Sequence, residues 1–402
     1  MDAPDDPATA DDALIDECRL RSLHLLHDNL TPHGILAATP SPQADERRYS
    51  TVFTRDAAIC GIGMTVSGDA ELAAGAARGL LTIAGHQARN GQIPNFVDPK
   101  RGEADFWYVG CIDATLWWLI ALRFIDNVAP GSDLTNQLDS NVRSALNWLA
   151  CQEHPHFALL QQNEASDWAD IMPRSGYVLY TNALWYRVKR LYALSGAEQT
   201  HASFNQLLFP FADQSMESTR EQRLAQYARA RARRRDLYLS FVNFSFWGEE
   251  GDAFGNILAI LFGLADEAMA RGILSALDRE GVCELYPIRV VCEPIVQQDR
   301  LWRPYMHRHQ QNLDWQYHNG GIWPFVGGFW AATLAASGDS ARARCALTQL
   351  ARANRLNQWE FNEWLHGRDA APRGMPRQSW NAGAFLIAHH ALRHRVFELA
   401  PS

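Results

Sequence analysis

The feature that most limits what this chain can become is the period of its apolar residues. In DALIDECRLRSLHLLHDNL, Leu14, Cys18, Leu20, Leu23 and Leu26 recur mostly every three or four residues, the spacing that lines one face of a helix. The same period runs through DAELAAGAARGLLTIAGHQA, DATLWWLIALRFIDNV, NVRSALNWLACQE and TNALWYRVKRLYAL. It returns in GNILAILFGLADEAMARGILSAL, GGFWAATLAASGDSARARCALTQLARAN and NAGAFLIAHHALRHRV. Strand candidates are few and short, the best being Tyr238–Phe246 and Ile288–Glu293. Between the helices lie segments dense in Gly, Pro, Trp and Asn, among them GQIPNFVDPKRGEADFWY, EASDWADIMPRSGY, YHNGGIWPFVGG and NEWLHGRDAAPRGMPRQSW. Loops of that make-up carry function on a rigid scaffold. The alternation of helix and loop predicts an all-α fold, a closed ring of helix pairs with its functional loops gathered at one end. No linker divides it, so residues 13–400 read as one domain, preceded by an acidic tail, residues 1–12, expected to be disordered. REQRLAQYARARARRRD (Arg220 to Asp236) reads as a charged, solvated helix.

Composition excludes several classes. The net charge of -8 argues against general nucleic-acid binding, which needs a concentrated basic surface. No apolar stretch reaches membrane-spanning length, and the N-terminus carries no apolar signal core, so the expected location is the cytoplasm. Seven scattered cysteines without a CxxC read as reduced thiols. No metal-ligand spacing and no phosphate-cradling glycine loop occurs, so neither metal nor cofactor is expected. Fourteen Trp are many, and flat indole faces suit sugar sites. Trp and Leu on outer helices are compatible with a homo-oligomer.

Two acidic loops stand out. The first holds Glu164, Asp167 and Asp170 around Trp168. The second holds Glu360 and Glu363 among Trp359, Trp364 and Trp380. Two distant carboxylate loops flanked by Trp suit acid and base on opposite walls of a cleft, as glycosidic hydrolysis requires. An apolar neighbour or a second carboxylate raises a carboxyl pKa and keeps one group protonated near neutrality. The bland alternative is that such acids are surface charges or helix caps. Arg55 and Asp56 open an apolar helix, where Asp56 either caps that helix or accepts from sugar hydroxyls. His318, Asn319 and Trp323 surround a Gly-Gly turn that is either a simple helix entry or a binding loop. Gln92, Asn95 and Asp113 sit in loops or at helix starts, where capping and turn roles compete with binding.

Seven motifs in order, VFTRDAAI, GQIPNF, DATLWW, SDWADIMPRSG, GNILAI, YHNGGIWPF and NEWLHG…GMPRQSWNAG, resemble the (α/α)6-barrel glycoside hydrolases. The likeness is to alkaline/neutral invertases and to bacterial amylo-α-1,6-glucosidase-like (glycogen-debranching-like) proteins, and it spans about Tyr49 to His390. The resemblance implies six helical hairpins in a toroid, with short β segments in the loops. It implies an inverting hydrolase whose general acid is an Asp followed four residues later by Arg. Asp170 with Arg174 matches that spacing, whereas Asp167 has Ile171 there. It implies a general base directly before an aromatic residue, matched by Glu363 before Trp364, with Glu360 before Phe361 as runner-up. Asp56 would grip the sugar in the innermost subsite. Arg55, Gln92, Asn95, Asp113, Asp167, Trp168 and Arg174 complete one half of the expected substrate-binding set. His318, Asn319, Trp323, Trp364, Gln378 and Trp380 complete the other.

Two departures bear on the substrate. The invertase form carries basic residues directly after the acid, where this chain has Ile171 and Met172. Its C-terminal loop has two Tyr and an Asp after the base, where this chain has Trp364, Leu365 and His366. The expected substrate is a small α-glucoside, sucrose first, with a debranching-type α-1,6-glucosidase as the alternative. A sugar epimerase using His389 and His390, or His307 and His309, competes less well, since adjacent helix residues face apart. A silent sugar-binding protein is disfavoured by intact carboxylates in both loops.

Overall fold

The computed structural model describes residues 7–107, 110–211, 219–244, 246–280 and 286–397. In chain order its helices are α1 (Pro7–Asn29), α2 (Pro42–Glu46), α3 (Thr54–Val66), α4 (Ala70–Ala84), α5 (Ile112–Val128), α6 (Leu134–Gln137), α7 (Asp139–Ala150) and α8 (Leu179–Leu191). They continue as α9 (Ala197–Leu208), α10 (Thr219–Arg231), α11 (Ala253–Leu261), α12 (Glu267–Arg279), α13 (Pro304–His309), α14 (Pro324–Ala336), α15 (Ser340–Trp359) and α16 (Ser379–Ala391).

Burial sorts them into two rings. Helices α3, α5, α8, α11, α14 and α16 are apolar or buried nearly all round, which only a fully enclosed helix tolerates. Each packs on the next, and α16 returns to α3, so the inner ring closes. Helices α1, α4, α7, α9, α12 and α15 lie outside it. They are one-sided: α12 buries only Ile273, Leu274, Ala276 and Leu277. The result is the (α/α)6 barrel expected from the motifs. Glycines allow backbone contact at the closing seam, where a Cβ on Gly63 would lie 2.2 Å from the Gly383 carbonyl oxygen.

The inner helices have no side-chain N-caps, whereas Asp69, Asp266 and Asp339 cap the outer helices α4, α12 and α15. The following hairpin's loop supplies the cap instead. Thr54 N–H donates to the Asn95 carbonyl, Ile112 to Ser166, Leu179 to Ser240, and Ala253 to Val290. Pro324 opens α14 and has no N–H to satisfy. Just before it, Ile322 N–H donates to Leu365, and Ser379 N–H donates to Ala37, which returns the chain of bonds to the first hairpin. All the long loops therefore meet around the N-termini of the inner ring. The capping role weighed for Asp56 is not used, because Phe53 is the N-cap of α3 and the Asn95 carbonyl takes the Thr54 N–H.

Several boundaries depart from the sequence reading. Helix α1 begins at Pro7, so residues 7–12 are helical where a disordered tail was expected; residues 1–6 lie outside the described residues. Asp11 and Asp12 pair there with Arg352 and Arg344 of α15. Two long periodic stretches are each broken into two helices by a turn with a left-handed glycine, Gly263 and Gly338. Within Tyr238–Phe246, Phe241–Asn243 pairs with Tyr177–Val178 and with Phe246–Trp247. Ile288–Glu293 forms only isolated bridges, Arg289 to Ile322 and Val291 to Asp252, because its carbonyls and amides serve the loop-to-helix bonds. The charged helix ends at Arg231, short of Asp236. Helix α9 was not singled out by periodicity. Among the described residues no helix is long and apolar enough to cross a membrane.

Candidate active site

A cavity of about 560 Å³ opens among these loops. Asp170 and Glu363 both stand on its wall. Of the other expected residues, Arg55, Asn95 and Trp364 line it with them.

Glu363 is delivered by an unusual backbone path. Helix α15 loses helical geometry at Leu356, and Asn357, Gln358, Trp359 and Phe361 all have positive φ, between 47° and 68°. A left-handed run without glycine is costly and is held by its surroundings. The Glu363 carboxylate is buried and accepts from the Tyr49 hydroxyl at 2.6 Å and from the Met375 N–H at 2.8 Å. Burial raises its pKa, and the Tyr49 and Met375 bonds oppose the rise. Gly374, at φ 77°, is required here, since a Cβ would sit 2.3 Å from Glu363 Oε2. Glu360 points away and accepts from Asn357 at an exposed position.

Asp170 lies in the loop between α7 and α8. Its carboxylate accepts from the Tyr317 hydroxyl at 3.2 Å, and Asn312 holds its backbone carbonyl. Burial pushes the Asp170 carboxyl up to about 7, with Arg55 and the Tyr317 hydroxyl pulling it down and Asp113 and Asp167 pushing it further up. Ile171 and Tyr317 are both left-handed, at φ 50° and 46°. For a β-branched residue such as Ile171 that is a strained conformation.

The remaining expected residues do not line the cavity. Asp113 is fully buried under Arg55, at 2.8 Å from its Nη1, and also accepts from Tyr180. Arg174 is buried between Glu250 and Asp252 at 3.1 and 3.3 Å. It therefore braces the loop and does not reach out to a ligand. Asp167 accepts from Gln162 and the Ala169 N–H, and burial raises its carboxyl to about 6. Asp56 is buried beside Arg55; burial pushes it up to about 7, Arg55 opposing and Glu363 adding to the rise. Trp168, His318, Trp323 and Trp380 form an aromatic block behind Tyr317, with His318 stacked on Trp323 at 4.6 Å and Trp380 on Phe325 at 4.0 Å. They are core residues, and burial holds the His318 imidazole neutral. Asn319 bridges Ile295 and Asn312 through backbone bonds, and Gln378 is fully buried. Gln92 is half-buried and turned to Cys111.

Sequence reasoning missed Tyr49, Tyr317, Trp107, Arg47, Arg373 and Gly374 on the wall. Tyr317 falls inside YHNGGIWPF and Tyr49 stands three residues before VFTRDAAI, but a Tyr carries no motif that distinguishes a hydrogen-bond donor from a core ring. The paired histidines lie elsewhere: His389 and His390 are in the last turn of α16, away from the loop-bearing ends, and His307 and His309 are exposed on α13. Among the described residues no group of His, Cys, Asp and Glu is arranged to hold a metal ion.

A ring of six helix pairs, with two carboxyls facing one cavity at its loop-bearing end, places the chain in the (α/α)6-barrel class. Its backbone is similar to the GH63 mannosylglycerate hydrolase from Thermus thermophilus (TM-score 0.67, 14% identity, 92% of this chain and 99% of that one). It is also similar to a bacterial glucoamylase complexed with acarbose (TM-score 0.64, 14% identity, 94% and 56%). Within that class the sequence is most informative over residues 242–395, which match the family described as alkaline and neutral invertase. That segment contains Tyr317 and Glu363 but not Asp170. Alkaline/neutral invertase C, mitochondrial, from Arabidopsis thaliana is 21% identical over 344 residues, 75% of this chain and 51% of the relative. The probable alkaline/neutral invertase D of Arabidopsis thaliana is 22% identical over 428 residues, 89% and 78%. The chain spans about half the length of the first two curated relatives it matches, 51% and 52%.

Proposed function

We propose that the protein is an inverting glycoside hydrolase acting on a small α-glucoside. The observation that carries the reading is the pair of carboxyls, Asp170 and Glu363, on one cavity wall, each bonded to a tyrosine hydroxyl. Asp170, kept protonated toward neutral pH by burial, gives its proton to the glycosidic oxygen as the bond from C1 to that oxygen breaks. Glu363 takes a proton from a water whose oxygen bonds to C1 from the opposite face. The products are the β-anomer of the sugar and the free leaving group. Arg55, anchored by Asp113 and flanked by buried Asp56, and Asn95 bind sugar hydroxyls, and Trp364 offers a stacking face.

The invertase likeness supports sucrose as the first substrate to test. Ile171 and Met172, where invertases by resemblance carry basic residues, are buried, which supports including other α-glucosides. The six described cysteines are all free, in keeping with a cytoplasmic enzyme, and assembly into a homo-oligomer is compatible with this reading.

The test is to incubate the protein with sucrose, trehalose, maltose and isomaltose and follow the first-formed anomer by NMR. Asp170→Asn and Glu363→Gln should each lose about 100- to 10,000-fold in rate while folding normally. Undiminished turnover in either variant, or the α-anomer formed first, would overturn the assignment. Isomaltose cleaved in preference to sucrose would establish the α-1,6-glucosidase alternative, and conserved sugar mass an epimerase.

A further inference from the structure

The rim of the cavity carries charge that a neutral sugar does not require. Arg47, the residue that closes α2, and Arg373, in the short strand beside Trp364, both line the wall and are exposed. Among the described residues neither has a carboxylate within 4.0 Å. Their neighbours differ: Arg48 meets Asp98 and Glu103, Arg368 meets Asp314, and Arg377 meets Asp28. Arg55, the third guanidinium on the wall, is neutralised by buried Asp113 at 2.8 Å. Arg47 acts on the Glu363 carboxylate and Arg373 on the exposed Asp369 only at longer range, so both guanidiniums keep their hydrogen-bond donors clear of an ion pair. The chain as a whole has a net charge of -8, so two guanidiniums outside any ion pair at one cavity mouth run against its overall charge.

Depth assigns the charge to one end of the substrate. Glu363 and Arg55 are buried, whereas Arg47 and Arg373 are exposed at the opening. The sugar that is cleaved occupies the deep end, where the carboxyls are, and the leaving group extends to the rim. Guanidinium is the side chain best shaped for a carboxylate or phosphate, giving two parallel hydrogen bonds to either.

We infer that the mouth of the cavity is a leaving-group subsite for an anion, a carboxylate or a phosphate, held by Arg47 and Arg373. This rests on the hydrolase reading, with sucrose as a neutral baseline. The test uses two matched pairs: α-glucosylglycerate against α-glucosylglycerol, and sucrose phosphorylated on the fructosyl C6 against sucrose. The charged member of at least one pair should show kcat/KM higher by on the order of 10-fold, with the preference shrinking at high ionic strength. Which pair responds tells carboxylate from phosphate. In Arg47→Gln/Arg373→Gln the ratio of charged to neutral should fall to about one. Equal or lower kcat/KM for the charged member in both pairs, or a ratio unchanged in the double variant, overturns the subsite. If glucose is released from none of the four, and from none of trehalose, maltose and isomaltose, the hydrolase reading fails; whenever the four are not cleaved, binding followed by tryptophan fluorescence decides the subsite. Tighter binding of glucosylglycerate or of the sucrose phosphate than of its neutral partner, lost in the double variant, supports it, and equal binding overturns it.

Discussion

Replacing Tyr317 by Phe removes one hydroxyl and nothing else from the wall. That hydroxyl donates to Asp170 Oδ2 at 3.2 Å, and a donor favours the ionised carboxylate over the acid. Its removal therefore raises the Asp170 pKa above the value of about 7 that burial already gives it. A neutral hydroxyl bond contributes about 0.5–1.5 kcal/mol, and 1.36 kcal/mol corresponds to one pKa unit, so the shift is about 0.4–1 units upward. The general acid is competent below its pKa, so activity is lost as pH rises through it. The alkaline limb of the kcat/KM profile should then move to higher pH, and the acid limb should stay. Tyr49→Phe makes the converse change. It strips a 2.6 Å bond from Glu363, raises that pKa, and moves the acid limb upward by about one unit, narrowing the profile. The other groups felt by Asp170 are Arg55, Asp113 and Asp167, and Glu363 also feels Arg47 and the Met375 N–H; neither substitution removes any of these. Burial keeps both tyrosine hydroxyls protonated well past neutrality, so they remain donors across the range. The measurement is kcat/KM against pH on the glucoside cleaved fastest. An alkaline limb that moves down in Tyr317→Phe, or an acid limb that moves with it, refutes the assignment of acid and base.

Gly374→Ala should lower kcat by about 10- to 100-fold, because the new methyl displaces the Glu363 carboxylate; steady-state kinetics with a thermal melt separates this from unfolding. Arg174→Met should cost about 3–5 kcal/mol in urea denaturation by leaving Glu250 and Asp252 buried without a cation. Adding Glu250→Gln and Asp252→Asn should restore part of that loss, and no restoration would count against the pairing. Gly383→Ala should destabilise by about 1–3 kcal/mol, since its Cβ would lie 2.7 Å from Cys60 Cα across the seam of the ring; an unchanged melting temperature would show that the seam relaxes freely.

The helices were legible because burial writes itself into apolar period. The stretches around Leu14, Trp117 and Phe385 are helical where that period runs, and the loops between them carry the site. Asp170 and Glu363 could be singled out by motif, and both face the cavity. Their neighbours were harder. Trp168, His318, Trp323 and Trp380 read as binding residues from their loops and the family resemblance, yet the same aromatic density serves a packed block behind Tyr317. Arg174 follows Asp170 at the expected spacing but is turned toward Glu250 and Asp252, a partnership that joins loops 76 and 78 residues apart and leaves no local trace. The left-handed run before Glu363 was invisible for the opposite reason. It contains no glycine, so the usual signal for positive φ is missing. The starts of α3, α5 and α8 were invisible too, because Phe53, Cys111 and Val178 stand at their N-caps and backbone carbonyls from the next hairpin replace the Ser, Thr, Asp or Asn that marks a helix start.

Those borrowed caps make the cavity a property of the circle as a whole. Asn95 holds the start of α3, Ser166 that of α5, and so on until Ala37 holds α16. Each link spans tens of residues, and the last spans 342, from Ala37 to Ser379. Individual hairpins can gain helix early from local contacts, but the final link has the largest loop-closure entropy. The loop that ends at Tyr49 and the one that ends at Gln378 flank that last link, and they bring Tyr49 to Glu363. During refolding, recovery of turnover should therefore trail recovery of helical signal, like an arch that bears no load until its keystone is in place.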